Sequence, residues 1–121
     1  MISVVDDNGS VRRATVDLLN SAGFACEAFA SGDEYLRSGR VADTTCLILD
    51  IAMPGMTGLD LQSHLVRSGY GIAIIFITGY PGDSTRNQAL RTGAICYLTK
   101  PYNDDELLGC IARARPDVRL R

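Results

Sequence analysis

Charged and polar side chains follow four short apolar runs of this sequence. Asp6 and Asp7 come directly after the first run, Asp50 after the third and Thr78 after the fourth, and Lys100 lies two residues beyond the fifth. If these runs are parallel strands, their carboxyl ends meet at one edge of a sheet, where ligands bind in folds of this kind. We therefore expect three carboxylates, a hydroxyl and an ammonium group to lie close together.

Three carboxylates at one place repel each other. At ~4 Å and an effective dielectric of ~20, each pair costs about 4 kcal/mol. The single charge of Lys100 does not offset three acids, so a proton or a divalent cation is required. Carboxylates and carbonyls without a nearby histidine or thiolate suit Mg²⁺. The cation, Lys100 and Thr78 would then surround a phosphoryl group carried by Asp50, since each stabilises its spread negative charge.

Each of these residues has a simpler interpretation when it is considered alone. Asp6 and Asp7 could cap the first helix, because aspartate often begins helices and turns. Thr78 could be an ordinary strand residue, and Lys100 could be a solvated surface charge. The agreement of all four strand ends in order and spacing favours the combined site over these separate readings.

The apolar runs alternate with longer amphipathic segments, which is typical of βαβ units. Several runs are continuously apolar, as parallel strands covered on both faces must be. Glu27 makes the second run more mixed, so we expect that run to be an edge strand. Five such units predict an α/β fold with an open, doubly wound parallel sheet and five helices. The five predicted strands are Ile2–Val5, Phe24–Phe29, Cys46–Leu49, Ile72–Ile77 and Ile95–Leu98.

The ends of the five predicted helices are marked by capping residues and glycines. The fourth helix carries few apolar residues besides Ala89 and Leu90, so it should be easy to displace. On the first helix, the stripe predicted to face inward is Val11, Ala14, Leu18 and Ala22. The helices are predicted to run from about Ser10 to Ser21, from a capping box at Ser31, from Thr57–Gly58 to near Gly69, from an N-cap at Asp83 to Gly93, and from Asn103 to before Pro116.

Composition and charge limit the classes of function. The 121 residues are 46% apolar and carry a net charge of −2, so no basic surface is available to bind nucleic acid directly. No apolar run reaches the ~20 residues of a membrane span, and the first residues do not form a secretory signal, so we expect a cytosolic protein. The four cysteines form no C-x-x-C pair and are predicted to be separate, small apolar side chains.

The motifs at the strand ends together resemble the receiver domains of two-component response regulators, over essentially the whole chain. The resemblance is strongest to the FixJ/NarL type, and it implies a flavodoxin-like sheet with the strand order 2-1-3-4-5. It also implies a receiver domain over residues 1–115, with residues 116–121 as the start of a linker or C-terminal tail. The motifs are Val4–Asp7, Leu47–Gly58, Ile77–Gly79 and Gly93–Pro101.

The resemblance implies a role for each site residue. Asp50 would accept the phosphoryl group, and Lys100 and Thr78 would contact its oxygens. Thr78 and Tyr97 would move inward together as a switch that changes the surface formed by the fourth helix, the fifth strand and the fifth helix. The peptide bond between Lys100 and Pro101 would be cis. Mg²⁺ would be held by Asp6 through water, by Asp7 and Asp50, and by the backbone carbonyl of Ala52.

A sensor histidine kinase is the phosphodonor that the resemblance implies. A C-terminal DNA-binding domain outside this chain and a phosphorylation-dependent homodimer are further partners that it suggests, with transcription as the output. Such a domain is a signalling module that catalyses only its own phosphorylation and dephosphorylation. Two other interpretations stay open: a Mg²⁺-dependent phosphatase with Asp50 as nucleophile, and an interaction module that is never phosphorylated. Ala52 offers no second carboxylate for the former, and the complete set of five residues disfavours the latter.

Overall fold

The computed structural model describes residues 1–79 and 82–114, in which five parallel strands alternate with five α-helices. The sheet order is β2-β1-β3-β4-β5, so the predicted fold and the edge position of β2 are confirmed. A short 3₁₀ helix at Val41–Asp43 was not predicted. The elements are β1 Ile2–Val5, α1 Gly9–Ser21, β2 Cys26–Phe29, α2 Gly32–Arg37, β3 Cys46–Asp50, α3 Gly58–Arg67, β4 Ala73–Thr78, α4 Asp83–Arg91, β5 Cys96–Thr99 and α5 Asp104–Ala114.

The central strands are apolar throughout because helices cover both faces of the sheet. On β3, Leu47 and Leu49 belong to one hydrophobic core, while Cys46 and Ile48 belong to the other. This alternation follows from the two-residue repeat of a strand. Helices α2, α3 and α4 contribute to the first core, and α1 and α5 contribute to the second.

Helix α1 does not bury the stripe that its apolar pattern predicts. Its fully buried residues are Thr15 and Leu19, whereas Ala14 is exposed. Thr15 tolerates burial because its hydroxyl donates to the carbonyl of Val11 at 2.9 Å. A pattern that counts threonine as polar therefore misplaces the buried face, and the predicted stripe of Val11, Ala14, Leu18 and Ala22 is wrong in its two alanines.

Helix ends agree with the sequence in one case and differ in another. At α5, Asn103 and Glu106 cap the helix reciprocally, each side chain accepting from the other residue's backbone N–H. At α4 the N-cap is Gly82, and Asp83 is the first helical residue. A carboxylate is favourable there too, because it lies at the positive end of the helix dipole.

Two of the four cysteines are joined, contrary to the prediction that all four are separate. Cys96 on β5 forms a disulfide with Cys110 on α5, while Cys26 and Cys46 keep their thiols. The partners are 14 residues apart, and only the packing of α5 on β5 brings them together. No spacing motif in the sequence could signal this pair.

Two further expectations concern the C-terminal boundary of the domain and the lack of a membrane-spanning segment. The predicted linker at 116–121 lies outside the described residues, so the domain boundary at 115 stays a prediction. Among the helices in the ranges 1–79 and 82–114, none combines the length and the apolar character needed to cross a bilayer.

The loop from β3 to α3 depends on a glycine. The Gly58 N–H donates to the carbonyl of Ile51 at 3.0 Å, which closes the loop behind Asp50. A Cβ at position 58 would lie 2.4 Å from the Asp50 carbonyl oxygen and 2.9 Å from the Ile51 Cα. Both of these are backbone atoms, so the neighbours cannot give way without moving the loop.

We expect Gly58→Ala to destabilise the fold by about 2 kcal/mol or more, because overpacking against backbone forces the chain to shift. Chemical denaturation measures this change directly. Gly71→Ala is the matched control, since a Cβ there meets nothing within 4 Å and the backbone does not have positive φ. Equal stability of the two variants would contradict the argument.

Candidate functional site

The three predicted carboxylates converge at the carboxyl ends of β1 and β3. One ligand oxygen from each of Asp6, Asp7 and Asp50 lies within 4.8 Å of the others. Asp6 and Asp50 are buried, at 0% and 5% exposure, and Asp7 is exposed. The adjacency arises because β1 and β3 pair side by side, so that the residues following both strands lie next to each other.

Asp6 is fixed by contacts on both sides of the residue. Its backbone N–H donates to the carbonyl of Phe29 at 3.2 Å, and its own carbonyl accepts from Arg12 Nη1 at 2.8 Å. The carboxylate accepts from the Asn8 N–H at 2.9 Å and from Lys100 Nζ at 3.4 Å. Asp6 therefore has one well-defined orientation. Sequence reasoning missed the supporting role of Arg12, which has no motif of its own.

Asn8, rather than either aspartate, caps α1. Its side-chain oxygen accepts from the N–H groups of Ser10 and Val11, at 2.9 and 3.1 Å. The simpler reading, in which Asp6 and Asp7 are caps, is therefore wrong. The carboxylate oxygens of both aspartates are left facing the cluster with Asp50.

Lys100 is the cation of this cluster. Its Nζ atom lies 3.4 Å from Asp6 Oδ2 and 3.8 Å from Asp50 Oδ1, and its side chain is 26% exposed. Its backbone N–H donates to the Thr78 carbonyl at 2.7 Å, which places the end of β5 beside the end of β4. The Lys100–Pro101 peptide bond is cis.

Burial and like charge act together on Asp50. The pKa of the Asp50 carboxyl is raised from 3.8 to about 6, with burial as the largest cause. The negative charges of Asp6 and Asp7 also raise it, whereas Lys100 and the Ile51 N–H lower it. A carboxylate with this surplus of negative neighbours is stabilised by any additional positive charge. The site is therefore suited to a cation.

The cluster opens into a cavity of about 440 Å³. Ala52 and Gly79 line it, and neither side chain fills the space. Oxygen donors without histidine or thiolate suit Mg²⁺ and disfavour zinc. The donor set of the described residues therefore fits Mg²⁺. The full lining is Asp6, Asp7, Asn8, Asp50, Ala52, Gly79 and Lys100.

Thr78 and Tyr97 lie on the neighbouring strands β4 and β5. Thr78 is the last residue of β4 and is 1% exposed. The Tyr97 ring packs against Phe76, with centroids 6.4 Å apart, and its hydroxyl oxygen is buried. Burial raises the pKa of this phenol, and the backbone of Gly82 and the charge of Arg86 partly oppose the shift.

Helix α4 has an anchor that its sequence does not reveal. Among the described residues of the helix, only Ala89 is fully buried. Gln62, on α3 and 1% exposed, donates from its side-chain amide to the Ala89 carbonyl at 3.0 Å. The C-terminal half of α4 is thus bonded to α3. At the other end, the N-cap residue is Gly82, which has no side chain to cap the helix.

The chain matches known proteins over nearly its whole length. A family model described as "Response regulator receiver domain" matches residues 2–112. The chain is 40% identical over 121 residues to Nodulation protein W of Bradyrhizobium diazoefficiens, covering 100% of this chain and 53% of that protein. It is 32% identical over 110 residues to Transcriptional regulatory protein FixJ of Azorhizobium caulinodans, covering 91% and 52%.

A solved structure of the response regulator StyR superposes with a TM-score of 0.86 at 38% identity, covering 98% of this chain and 63% of that one. By the coverages given above, the chain spans about half the length of Nodulation protein W and of FixJ.

The raised pKa of Asp50 predicts a pH-dependent stability in metal-free protein. Between its ordinary value of 3.8 and about 6, the folded chain holds a proton on Asp50 that the unfolded chain has lost. The contribution of Asp50 to the free energy of unfolding is therefore fully present below pH 3.8 and is lost as the pH rises through about 6. In EDTA at about pH 7.5, Asp50→Asn should therefore be more stable than the wild type by roughly 2 kcal/mol, a difference that shrinks towards about pH 4.

Urea denaturation at several pH values tests this prediction. Asp17→Asn is the control, because Asp17 is an exposed aspartate on α1. If Asp50→Asn and Asp17→Asn gave the same pH profile, the account of Asp50 would be wrong.

Proposed function

Because the chain belongs to the response-regulator receiver family, we propose that it accepts a phosphoryl group on Asp50 and transmits this modification through its α4-β5-α5 surface. One observation carries the proposal: the carboxylates of Asp6, Asp7 and Asp50 share one cavity with the amine of Lys100. The Asp50 carboxylate is mostly buried but lines the cavity, beside two other acids and one ammonium group. Such a carboxylate suits a phosphoryl acceptor. The same arrangement has no evident purpose in a structural core, where it costs stability.

The proposed Mg²⁺ ligands are Asp7, Asp50 and the backbone carbonyl of Ala52, with Asp6 contributing through water. When bound, Mg²⁺ supplies positive charge to the phosphoryl oxygens and relieves the repulsion among the acids. The fit of the oxygen donors supports this ligand set. Asp6 suits a supporting role, because hydrogen bonds from Asn8 and Lys100 already reach its carboxylate.

In the proposed transfer, one carboxylate oxygen of Asp50 bonds to the phosphorus as the bond between phosphorus and the kinase histidine nitrogen breaks. Lys100, which faces both Asp6 and Asp50, turns to a phosphoryl oxygen and stabilises its charge. The small Gly79 and Ala52 leave room for a donor to approach along the cavity.

The proposed output is a shift between two populations. The Thr78 hydroxyl moves inward to bind a phosphoryl oxygen in the active state, and Tyr97 follows it into the buried rotamer behind it. Phosphorylation favours this state by the difference in contact energy between the two states. The buried Tyr97 hydroxyl and the lightly packed α4 support this coupling.

We propose a sensor histidine kinase as the phosphodonor and the cytoplasm as the site of action. FixJ of Azorhizobium caulinodans is a transcriptional regulatory protein about twice the length of the aligned segment. By analogy, we propose that residues 1–115 are a receiver, that residues 116–121 begin a linker, and that a DNA-binding domain beyond this chain controls transcription. A phosphorylation-dependent homodimer is the proposed active assembly.

The phosphatase reading is weaker. An enzyme of that kind needs a general acid to protonate its leaving group, and Ala52 occupies the position two residues after Asp50 where a second carboxylate would serve. We therefore propose that the domain catalyses only its own phosphorylation and dephosphorylation, and does not turn over separate phosphate esters.

Intact-mass measurement after incubation with acetyl phosphate and Mg²⁺ tests the proposed acceptor. The wild type should gain the mass of one phosphoryl group, and Asp50→Ala should gain none, because its nucleophile is lost. Asp17→Ala, which changes an exposed aspartate away from the cavity, should be labelled like the wild type. EDTA should abolish labelling of both.

Labelling of Asp50→Ala would place the acceptor elsewhere. An unlabelled wild type would favour the unphosphorylated interaction module, and sustained hydrolysis of a phosphate ester would favour the phosphatase.

Thr78→Ala should separate phosphorylation from its structural response, because the acceptor stays intact while the hydroxyl that senses it is removed. Amide hydrogen exchange of residues 83–91 is the measurement. Acetyl phosphate should change exchange in the wild type and in Thr45→Ala, an exposed threonine at the opposite end of the sheet, but not in Thr78→Ala. A full response in Thr78→Ala would refute the coupling.

A further inference from the structure

Cys96 and Cys110 face each other in the core between the sheet and α5. Their Cα atoms are 6.1 Å apart, and their exposures are 4% and 6%. This separation lies inside the range that disulfides span. The backbone can therefore hold the pair either as two thiols or as one disulfide without a change of fold.

A cation lies next to both sulfur atoms. The guanidinium of Arg113, one turn after Cys110, contacts the sulfur of Cys96 and lies 3.9 Å from that of Cys110. Its Nη2 atom is also 3.5 Å from the carbonyl of Ile95. Positive charge beside sulfur stabilises the thiolate, which is the reactive form of cysteine. Arg113 itself is exposed, so its guanidinium joins the buried pair to the protein surface.

The free Cys26 provides a contrast within the same chain. Burial raises the pKa of its thiol, and its sulfur donates to Asn20 Oδ1 at 3.5 Å and to the Val16 carbonyl at 4.0 Å. Such a thiol is a poor nucleophile. Among the hydrogen bonds of the described residues, those of the Cys96–Cys110 pair thus come from a cation, whereas those of Cys26 go to neutral oxygen acceptors.

We propose that Cys96 and Cys110 are an oxidation site for small hydroperoxides. The Cys96 thiolate attacks one peroxide oxygen, the O–O bond breaks, and the departing hydroxide takes a proton to become water. The sulfenic acid left on Cys96 is then attacked by the Cys110 sulfur, and its oxygen leaves as a second water. Two thiols are oxidised to one disulfide while one hydrogen peroxide is reduced to two waters.

The crosslink would tie the C-terminal helix to β5. It joins two residues 14 apart in the sequence, and the segment between them includes Tyr97 and Lys100. The link joins β5 to α5, two of the three elements whose surface carries the proposed output, so oxidation restricts their relative motion. The chemistry does not require phosphorylation of Asp50, and the test is independent of it.

Alkylation of the full chain after peroxide treatment tests the proposal. Protein is reduced, freed of reductant, treated with hydrogen peroxide, then denatured and alkylated. Reduced protein should take up four alkyl groups and oxidised protein two, with the two labels on Cys26 and Cys46. Oxidation should raise the thermal midpoint by roughly 10 °C, and dithiothreitol should reverse both changes.

Four alkyl groups after peroxide treatment, or loss of the labels on Cys26 and Cys46, would overturn the proposal. So would a crosslink found only between two chains. The wild-type measurement needs no variant, so a folding defect in a cysteine mutant cannot obscure the outcome.

Variants test the role of Arg113. Arg113→Ala should slow loss of the two thiols about tenfold, and Arg113→Lys should restore part of the rate, because the charge is kept. Arg91→Ala, which changes an exposed arginine on α4, should oxidise like the wild type. Cys26→Ser should still lose two thiols. An unchanged rate in Arg113→Ala would overturn the assignment of Arg113 as the activating residue.

Discussion

Repulsion among Asp6, Asp7 and Asp50 is the constraint on which the rest of the site depends. Two of these carboxylates are buried, and one oxygen of each of the three lies within 4.8 Å of the others; among the described residues, Lys100 is the cation paired with them. The fold maintains this unfavourable group because backbone contacts fix it: β1 and β3 pair along their whole overlap, and Asp6 is bonded through its N–H and its carbonyl. Apolar burial on both faces of the sheet offsets the local cost.

The same constraint explains why small residues surround Asp50. Gly58 packs against the backbone of Asp50, so the loop after β3 can return tightly into α3 and keep the cavity open at one side. Gly79 and Ala52 line the cavity without filling it. A site that binds a charged ligand from solvent needs this space, whereas a purely structural group of buried charges would be packed closed.

Local patterns predicted most of the fold, because each strand and helix has its own apolar repeat and its own cap. The three carboxylates, Thr78 and Lys100 were predictable as neighbours, since parallel strands place their ends at one edge. Periodicity could not supply the strand order, which came from a family resemblance. It also missed Thr15, Arg12, Gln62 and the Cys96–Cys110 pair, because each depends on a contact between elements that no local pattern records.

The hydrogen bond from Gln62 to the Ala89 carbonyl limits how α4 can move. A helix with one fully buried residue would be free to shift as a whole, but the bond from Gln62 to the Ala89 carbonyl, worth about 1 kcal/mol, holds its C-terminal half to α3. The N-terminal end begins at Gly82 without a side-chain cap, four residues after Thr78. Displacement of α4 therefore costs least free energy at its N-terminal end, and the C-terminal end, bonded to Gln62, acts as a pivot. A shift of Thr78 would consequently change the direction of α4 more than its position.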